Sequence, residues 1–305
     1  MTRGGADAGE CHITVCVPTF RRPRALAGLL QKLETQERLP DLRYEILVVD
    51  NDDARSAEPV VADFSRRSRL TARYLSEPVR GIARVRNRLI DGARGRWLAF
   101  IDDDEVPSPE WLASLHREWL QGTAAVIFGP VLPAYPPHTP EWLKRSGVCE
   151  RRQYRNGEIL SSLQVGGGNF YCAKSLFAET GIRFSEAFDA GGEDGDLFHR
   201  LSRAGVRFAG CRDAAAFEEV ADNRMRVSWW LRRAFCWGYR HARIHGRGED
   251  GRRVFRYFAW AGVKALLLSV VLPASAAGGR TGFVQVGRLW MANVGKLATL
   301  SGRGK

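Results

Sequence analysis

Three short apolar runs limit most strongly what this chain can fold into: Ile13–Val17, Tyr44–Val49 and Trp97–Ile101. Each is too short for a helix and is rich in β-branched or aromatic residues, so each reads as a strand. Amphipathic helical patterns lie between them. Pro23 opens a helix where its missing N–H costs nothing, and Leu26, Leu29, Leu30 and Leu33 share one face. The charged segment Ala57–Arg67 is helical and Ala72–Leu75 is a short strand. Gly81 precedes a helix with Ile82, Val85, Leu89 and Ala93 on one face, and Gly95 closes it. Ser108-Pro109-Glu110 starts a capped helix that leads into Trp111, Leu112, Leu115 and Trp119. Strands apolar on both faces need helices on both, which is the pattern of a parallel α/β sheet. Residues 12–120 thus hold roughly four βα units. Two strands end in acids, Asp50-Asn51-Asp52-Asp53 and Asp102-Asp103-Asp104-Glu105, at the sheet edge where ligands of open α/β sheets bind.

From Ala124 the rhythm loosens. A strand over Ala124–Val131 precedes the proline-rich loop Pro133–Pro140 and an irregular stretch over 141–165. Gly166-Gly167-Gly168-Asn169 is a flexible turn before Phe170-Tyr171-Cys172. Gly191-Gly192-Glu193-Asp194 opens a helix closed by Gly205 as a C′ residue, and a strand-like Val206–Cys211 follows. Val227–His245 is a basic aromatic helix with Trp229, Trp230 and Trp237 among arginines; Val254–Ala277 and Phe283–Leu300 are apolar helices. Arg256 and Lys264 interrupt the first of these, so no conventional spanning helix is expected. The expected division is a disordered lead over 1–11, halves over 12–120 and 121–225, and a helical extension over 226–305. The first ten residues lack the apolar segment of a secretory signal. A net charge of +12 points to an anionic partner: nucleic acid, an anionic membrane face or phosphorylated substrates. Six scattered cysteines without a CxxC fit a reducing compartment.

Taken singly, the chemical motifs have two readings each. Three consecutive carboxylates at a rigid strand end repel one another unless a cation joins them, as a divalent ion carrying a diphosphate does; the alternative is a solvated acidic turn. Asp50 either accepts hydrogen bonds from a nucleobase or ribose, or caps a βα loop. Pro18-Thr19-Phe20-Arg21-Arg22 either lines the same pocket or is a turn. Arg80, Arg84, Arg86 and Arg88 surround a helix N-terminus suited to phosphates, or form a solvated face. Glu193 and Asp194 sit at a helix start that favours an ionised acid able to accept a proton, or they cap it. The His241/His245 pair lacks the third ligand and the glutamate of an HExxH site. The arginine–tryptophan helix suits nucleic acid by stacking or an anionic membrane by interfacial anchoring.

In this order the pieces resemble a family 2 glycosyltransferase of the GT-A fold, over about Thr14 to Tyr239. The matching residues are Val17-Pro18-Thr19-Phe20, Val48-Val49-Asp50, Gly81-Ile82-Ala83-Arg84 through Asn87, Gly95 through Asp104, and Gly192-Glu193-Asp194. Glu218-Glu219-Val220 to Trp229-Trp230 is also similar to exopolysaccharide glucosyltransferases of the succinoglycan type. The resemblance implies a mostly parallel central sheet flanked by helices, with a C-terminal membrane-associating extension. It implies inverting transfer of a hexose from a nucleotide sugar, a UDP-sugar foremost, with Mn²⁺ or Mg²⁺. Asp104 would be the metal ligand with Asp102 in support, Asp103 would face the ribose, and Asp50 would hold base or ribose. Pro18, Thr19, Phe20, Arg22, Arg80, Gly81, Arg84 and Asn87 would complete the donor pocket. Asp194, with Glu193 beside it, would deprotonate an acceptor hydroxyl. The acceptor would be a lipid-linked or cell-surface glycan, met at the inner face of the cell membrane through the C-terminal helices.

The processive signature QxxRW is absent, Arg233-Ala234-Phe235-Cys236-Trp237 being a distant echo, which favours addition of a single sugar. A nucleotidyltransferase is the rival enzyme class, but Pro18–Arg24 contains no glycine for a triphosphate loop. A basic nucleic-acid-binding protein is the non-enzyme rival. It gives no reason for acids at strand ends, so no nucleic-acid partner is expected.

Overall fold

The computed structural model describes residues 11–39, 42–188, 191–245 and 250–301. The lead expected over 1–11 therefore lies outside the described residues except for Cys11. The chain forms two compact units, Met1–Leu132 with Arg152–Glu218, and Pro133–Arg151 with Glu219–Lys305.

The alternation expected of the first unit is present. It comprises β1 (Ile13–Thr19), α1 (Pro23–Glu34), β2 (Tyr44–Asp50), α2 (Glu58–Arg67), β3 (Ala72–Ser76), α3 (Ile82–Gly92) and β4 (Trp97–Phe100). β5 (Glu105–Pro107), α4 (Trp111–Leu120), β6 (Val126–Phe128) and β7 (Val131–Ala134) follow. After α5 (Glu141–Ser146) come β8 (Ile159–Leu160), β9 (Phe170–Ala173), α6 (Ser175–Thr180), α7 (Glu193–Arg203), β10 (Phe208–Gly210) and β11 (Ala216–Glu219). The main sheet runs β3-β2-β1-β4-β9-β6-β10-β8. β3, β2, β1 and β4 are mutually parallel, with Thr19 opposite Asp50 and Cys16 opposite Phe100. β9 is inserted antiparallel between β4 and β6. β5 and β11 pair antiparallel in a smaller sheet.

Alternation along the strands gives both faces a core. Ile13, Val15 and Val17 point to one side, where Ile46 and Val48 join the leucines of α1, Phe64 of α2, and Trp111, Leu112 and Leu115 of α4. Cys16, Leu47 and Val49 point to the other, against Val85 and Leu89 of α3 and Leu197, Phe198 and Leu201 of α7. A strand buried on both faces has no polar register, which is why these runs read as continuously apolar. Two local expectations change. The single strand over Ala124–Val131 is split at Gly129-Pro130, because Pro130 has no N–H to pair and a side chain at Gly129 would meet the Ala214 carbonyl at 2.0 Å. Ser108 does not cap α4; its hydroxyl donates to the Asp213 carbonyl.

The second unit comprises α5 with α8 (Val227–His245), α9 (Gly251–Ser275) and α10 (Gly279–Ala298). The division does not follow the boundaries expected at 120 and 225. Leu143 and Val148, in the stretch expected to be irregular, share a core with Val220 and Val284, and this groups Pro133–Arg151 with the C-terminal helices. His241 of the candidate metal pair is bonded to the Tyr257 hydroxyl at 2.6 Å, while the His245 side chain lies outside the described residues. Along α9, Phe255, Leu266, Leu267 and Val270 are exposed. The helical stretch Gly251–Ser301 is long and apolar enough, by length and composition, to cross a membrane, contrary to expectation. Arg256 lies in the first third of α9 and Lys264 just past its middle, and from Ala265 onwards the helix is uncharged.

Glycines let α8 and α10 touch. A Cβ on Gly238 would lie 1.9 Å from the Ala292 carbonyl oxygen, and one on Gly295 would lie 2.1 Å from that of Phe235. Gly238→Ala should therefore force the helices apart and cost about 1–3 kcal/mol. Gly262→Ala, in open space within α9, should be neutral or stabilising through helix propensity. Thermal unfolding of the two variants tests this; equal midpoints would show that the close approach does not exist.

Candidate active site

Because β1, β2 and β4 are parallel neighbours, their carboxyl ends converge on one edge of the sheet. A cavity of about 500 Å³ opens there, within the size range of small-ligand sites. Pro18, Thr19, Phe20 and Arg22 line it from the end of β1, Asn51 from the end of β2, and Asp102 and Asp103 from the end of β4. Arg80, Gly81, Ile82, Val85 and Arg86 complete the wall from the start of α3.

The three aspartates that follow β4 have different surroundings. Asp103 is 4% exposed; it accepts from the Thr19 hydroxyl at 2.7 Å and from Arg22 at 2.9 Å. The same Arg22 nitrogen reaches Asp104 at 2.8 Å. Asp102 is paired with Arg86 at 3.3 Å. Burial pushes the Asp104 carboxyl up to about 6; Arg22 opposes the rise, and the charges of Glu218, Asp102 and Asp103 add to it. Among the described residues no cluster of three or more His, Cys, Asp or Glu side chains is arranged to hold a metal ion unaided.

Arg86 is the part that sequence reasoning undervalued. Read there with Arg80, Arg84 and Arg88 as suited to phosphates or as part of a solvated face, it is buried and lines the cavity. It donates to Glu193 at 2.6 Å and to Asp102 at 3.3 Å, joining α7 to the end of β4 through α3. Burial drives the Glu193 carboxyl up to about 6 despite the opposing pull of Arg86, and the Asp194 charge contributes to the rise. Beside Glu193, Asp194 accepts from the backbone N–H of Gly167 at 3.0 Å and of Gly195 at 2.8 Å. The turn Gly166-Gly167-Gly168 packs directly on this charged cluster. A Cβ on Gly167 would meet Arg86 at 2.5 Å, and one on Gly168 would meet Glu105 at 2.4 Å. The glycine run reads in sequence as a flexible turn; its role in admitting backbone next to charged side chains is a tertiary fact.

Three expected pocket residues are engaged elsewhere. Asp50 is 0% exposed, and its oxygens accept from the backbone N–H groups of Asp52 and Ala57 at 2.9 Å each. Its side chain caps the β2–α2 loop, and Asp50 is not among the residues that line the cavity. Neighbouring Asn51 lines the cavity instead. It donates to the carbonyls of Glu77 and Val79 and accepts from Gly81 N–H, pinning the loop before α3. Asn87 exchanges two hydrogen bonds with the backbone of Phe184, and Arg84 pairs with Glu186, so neither reaches the cavity. An amphipathic pattern places a helix's polar residues but not which of them face a pocket. Phe20 does line it, with the Arg80 guanidinium 3.8 Å from its ring centre.

The model of the family described as Glycosyl transferase family 2 matches residues 14–178. The chain is 32% identical over 257 residues to the succinoglycan biosynthesis protein ExoM of Rhizobium meliloti, covering 83% of this chain and 82% of that protein. It is 24% identical to the chondroitin synthase of Escherichia coli over 68% of this chain, which corresponds to 34% of that longer protein. Among solved structures, the fold is similar to a mannosyltransferase of Pyrobaculum calidifontis in complex with GDP-Man and Mn²⁺, with a TM-score of 0.66 at 18% identity, covering 95% of this chain and 88% of that one. It is also similar to S. aureus TarS 1-349 in complex with UDP-GlcNAc, with a TM-score of 0.56 at 14% identity, covering 95% and 92%. With this family match beside a GT-A-like sheet, the chain belongs to glycosyltransferase family 2 and is a glycosyltransferase.

Proposed function

We propose that this enzyme transfers a hexose from a nucleotide sugar, a UDP-sugar foremost, with inversion, to a hydroxyl of a lipid-linked or cell-surface glycan. The observation that carries the reading is the run Asp102–Asp104 at the carboxyl end of β4, beside a cavity of about 500 Å³ in the unit that also holds Asp194. The likeness to a succinoglycan biosynthesis protein supports an exopolysaccharide product. UDP-GlcNAc and GDP-Man in the two structural neighbours support a nucleotide-sugar donor and leave the base to experiment.

In this reading the donor lies along the cavity, its nucleoside between Pro18–Phe20 and Asn51. Asp103, whose oxygens keep lone-pair directions beyond those used by Thr19 and Arg22, faces the ribose. Asp104 and Asp102 would hold a divalent cation, Mn²⁺ or Mg²⁺, because their carboxylates offer the hard oxygen donors such an ion takes, next to the cavity that would receive the diphosphate. When bound, the ion neutralises charge developing on the leaving diphosphate. Arg22, half exposed at 51%, can turn from the carboxylates to the phosphates, and Arg80 approaches them from the start of α3. Asp194 accepts the proton of the acceptor hydroxyl. The acceptor oxygen bonds to the anomeric carbon as the carbon–phosphate oxygen bond breaks, and its electron pair leaves with the nucleoside diphosphate. Glu193 and Arg86 hold Asp194 and Asp102 in place.

The second unit supports a location at the inner face of the cell membrane. Exposed Phe255, Trp260, Leu266 and Val270 on α9, with arginines in its first turns, are the composition of an interfacial helix. A lipid-linked acceptor is then met at that surface.

The direct test is slow donor hydrolysis across UDP-, GDP- and dTDP-sugars with Mn²⁺, where release from one nucleotide class is expected and release from none would sink the reading. Asp194→Asn should bind donor and Mn²⁺ normally while transfer falls about 10²–10⁴-fold; ordinary turnover would remove Asp194 from the chemistry. Asp104→Ala should weaken donor affinity and metal dependence together, and unchanged affinity with metal would refute its role. Arg86→Met leaves Glu193 and Asp102 without their buried partner and should cost about 3–5 kcal/mol in denaturant unfolding, whereas a wild-type midpoint would show that the bridge holds nothing.

A further inference from the structure

The second unit contains a cavity of about 610 Å³ between α9 and α10 that the transfer chemistry does not use. Arg253, Arg256 and Lys264 line it from α9, and Lys296 from α10. Residues 253, 256, 260 and 264 follow one another at spacings of three and four, so a single helix face presents them. The Lys264 ammonium lies 5.2 Å from the Trp260 ring centre, and that of Lys296 lies 5.6 Å from that of Tyr257. Arg253 has Asp250 at 3.4 Å as a partner. Among the described residues no ion pair joins Arg256, Lys264 or Lys296 to a carboxylate. Burial and the neighbouring Lys264 charge hold the Lys296 ammonium below its ordinary range.

Asn293 adds an independent observation. It lines the same cavity at 6% exposure; its amide N–H donates to the Leu289 carbonyl, while its buried oxygen has no partner. A buried acceptor left empty favours a ligand that brings a hydroxyl. Leu267 and Val271 continue the face of Lys264 and are exposed. From Ala265 to Ser275 α9 has no charge and extends roughly 16 Å, about half of a ~30 Å hydrocarbon core. Cations beside a cavity followed by bare aliphatic surface match one ligand shape, an anionic head on an apolar tail.

We propose that the α9–α10 cavity binds the phosphate headgroup of a membrane lipid, with the Leu267–Val271 face taking the tail. This rests on the membrane-surface reading above and adds a built headgroup site to it. The lipid acceptor of the transfer reaction is one ligand of this chemistry.

Flotation of the full chain with vesicles tests the assignment. Vesicles of phosphatidylcholine doped with phosphatidic acid should bind at least roughly tenfold more tightly than phosphatidylcholine alone. Arg256→Gln with Lys264→Gln, both at exposed positions, should abolish the preference, and Lys264→Arg should keep it. Arg252→Gln with Arg280→Gln neutralises exposed cations outside the cavity and should leave the preference intact. Equal loss in both double variants would mean diffuse attraction and overturn the site, as would equal binding of the two vesicle types. Inorganic phosphate that raises the unfolding midpoint of the full chain, while doped vesicles bind no more tightly than phosphatidylcholine alone, would identify a free-phosphate site and overturn the lipid assignment. Donor hydrolysis without vesicles reads the first unit separately, so failure there sinks the transferase mechanism and leaves the flotation result standing.

Discussion

The buried Arg86 guanidinium is the interaction on which the site depends. It grips Glu193 at the start of α7 and Asp102 at the end of β4, and it is itself held by α3. The start of α7, more than a hundred residues on in sequence, is thereby brought to the edge of the sheet where α3 begins and β4 ends. Removing a guanidinium from water is costly, and only paired carboxylates of good geometry offset that cost. Such a bridge is a weak source of net stability and a strong constraint on position. Placing the helix of Asp194 beside the β4 acids needs that property.

Charge is arranged consistently around this bridge. At the amino-terminal side of the sheet, buried Glu45 is satisfied by Thr14, Arg73 and the Arg94 backbone. At the carboxyl edge the balance is different: the three carboxylates Asp102, Asp103 and Asp104 share two guanidinium groups, Arg22 and Arg86, and burial pushes Asp104 up to about 6. Closed charge at one edge and surplus at the other is what separates a structural edge from a binding one. In the second unit the imbalance is of the opposite sign: among the described residues no ion pair joins Arg256, Lys264 or Lys296 to a carboxylate. The +12 of the whole chain therefore describes neither surface, because the two carry opposite imbalances.

The parts legible in sequence were those set by local pattern. Leu26, Leu29, Leu30 and Leu33 are all buried on the predicted face, and Gly81 stands before α3 with the left-handed-side φ of 153° that favours glycine. Pro18, Thr19, Phe20, Arg22, Arg80, Gly81, Asp102 and Asp103 line one cavity because strand ends and βα turns place them there. Less legible was any side chain with a choice of direction. Asp50 turned into its own loop, Asn87 turned to Phe184, and Arg84 turned to Glu186, while Arg86 turned inward. Asp50 is held by N–H groups two and seven residues on, whereas Asn87, Arg84 and the Glu193 bond of Arg86 depend on partners about a hundred residues away.

What the sequence by itself determined is the layered α/β framework and the acids at its carboxyl edge. Apolar runs of that length have few ways to be buried, and a strand's end is fixed once the strand is. Tertiary structure decided which acids face the cavity, which arginine is buried, and that the stretch around Leu143 belongs with the C-terminal helices. Each of those depends on partners dozens to more than a hundred residues away, whose approach no local pattern records. The apolar length of α9 was visible in the chain, but the cavity beside it needed Asn293 and Lys296 of α10 to be brought alongside.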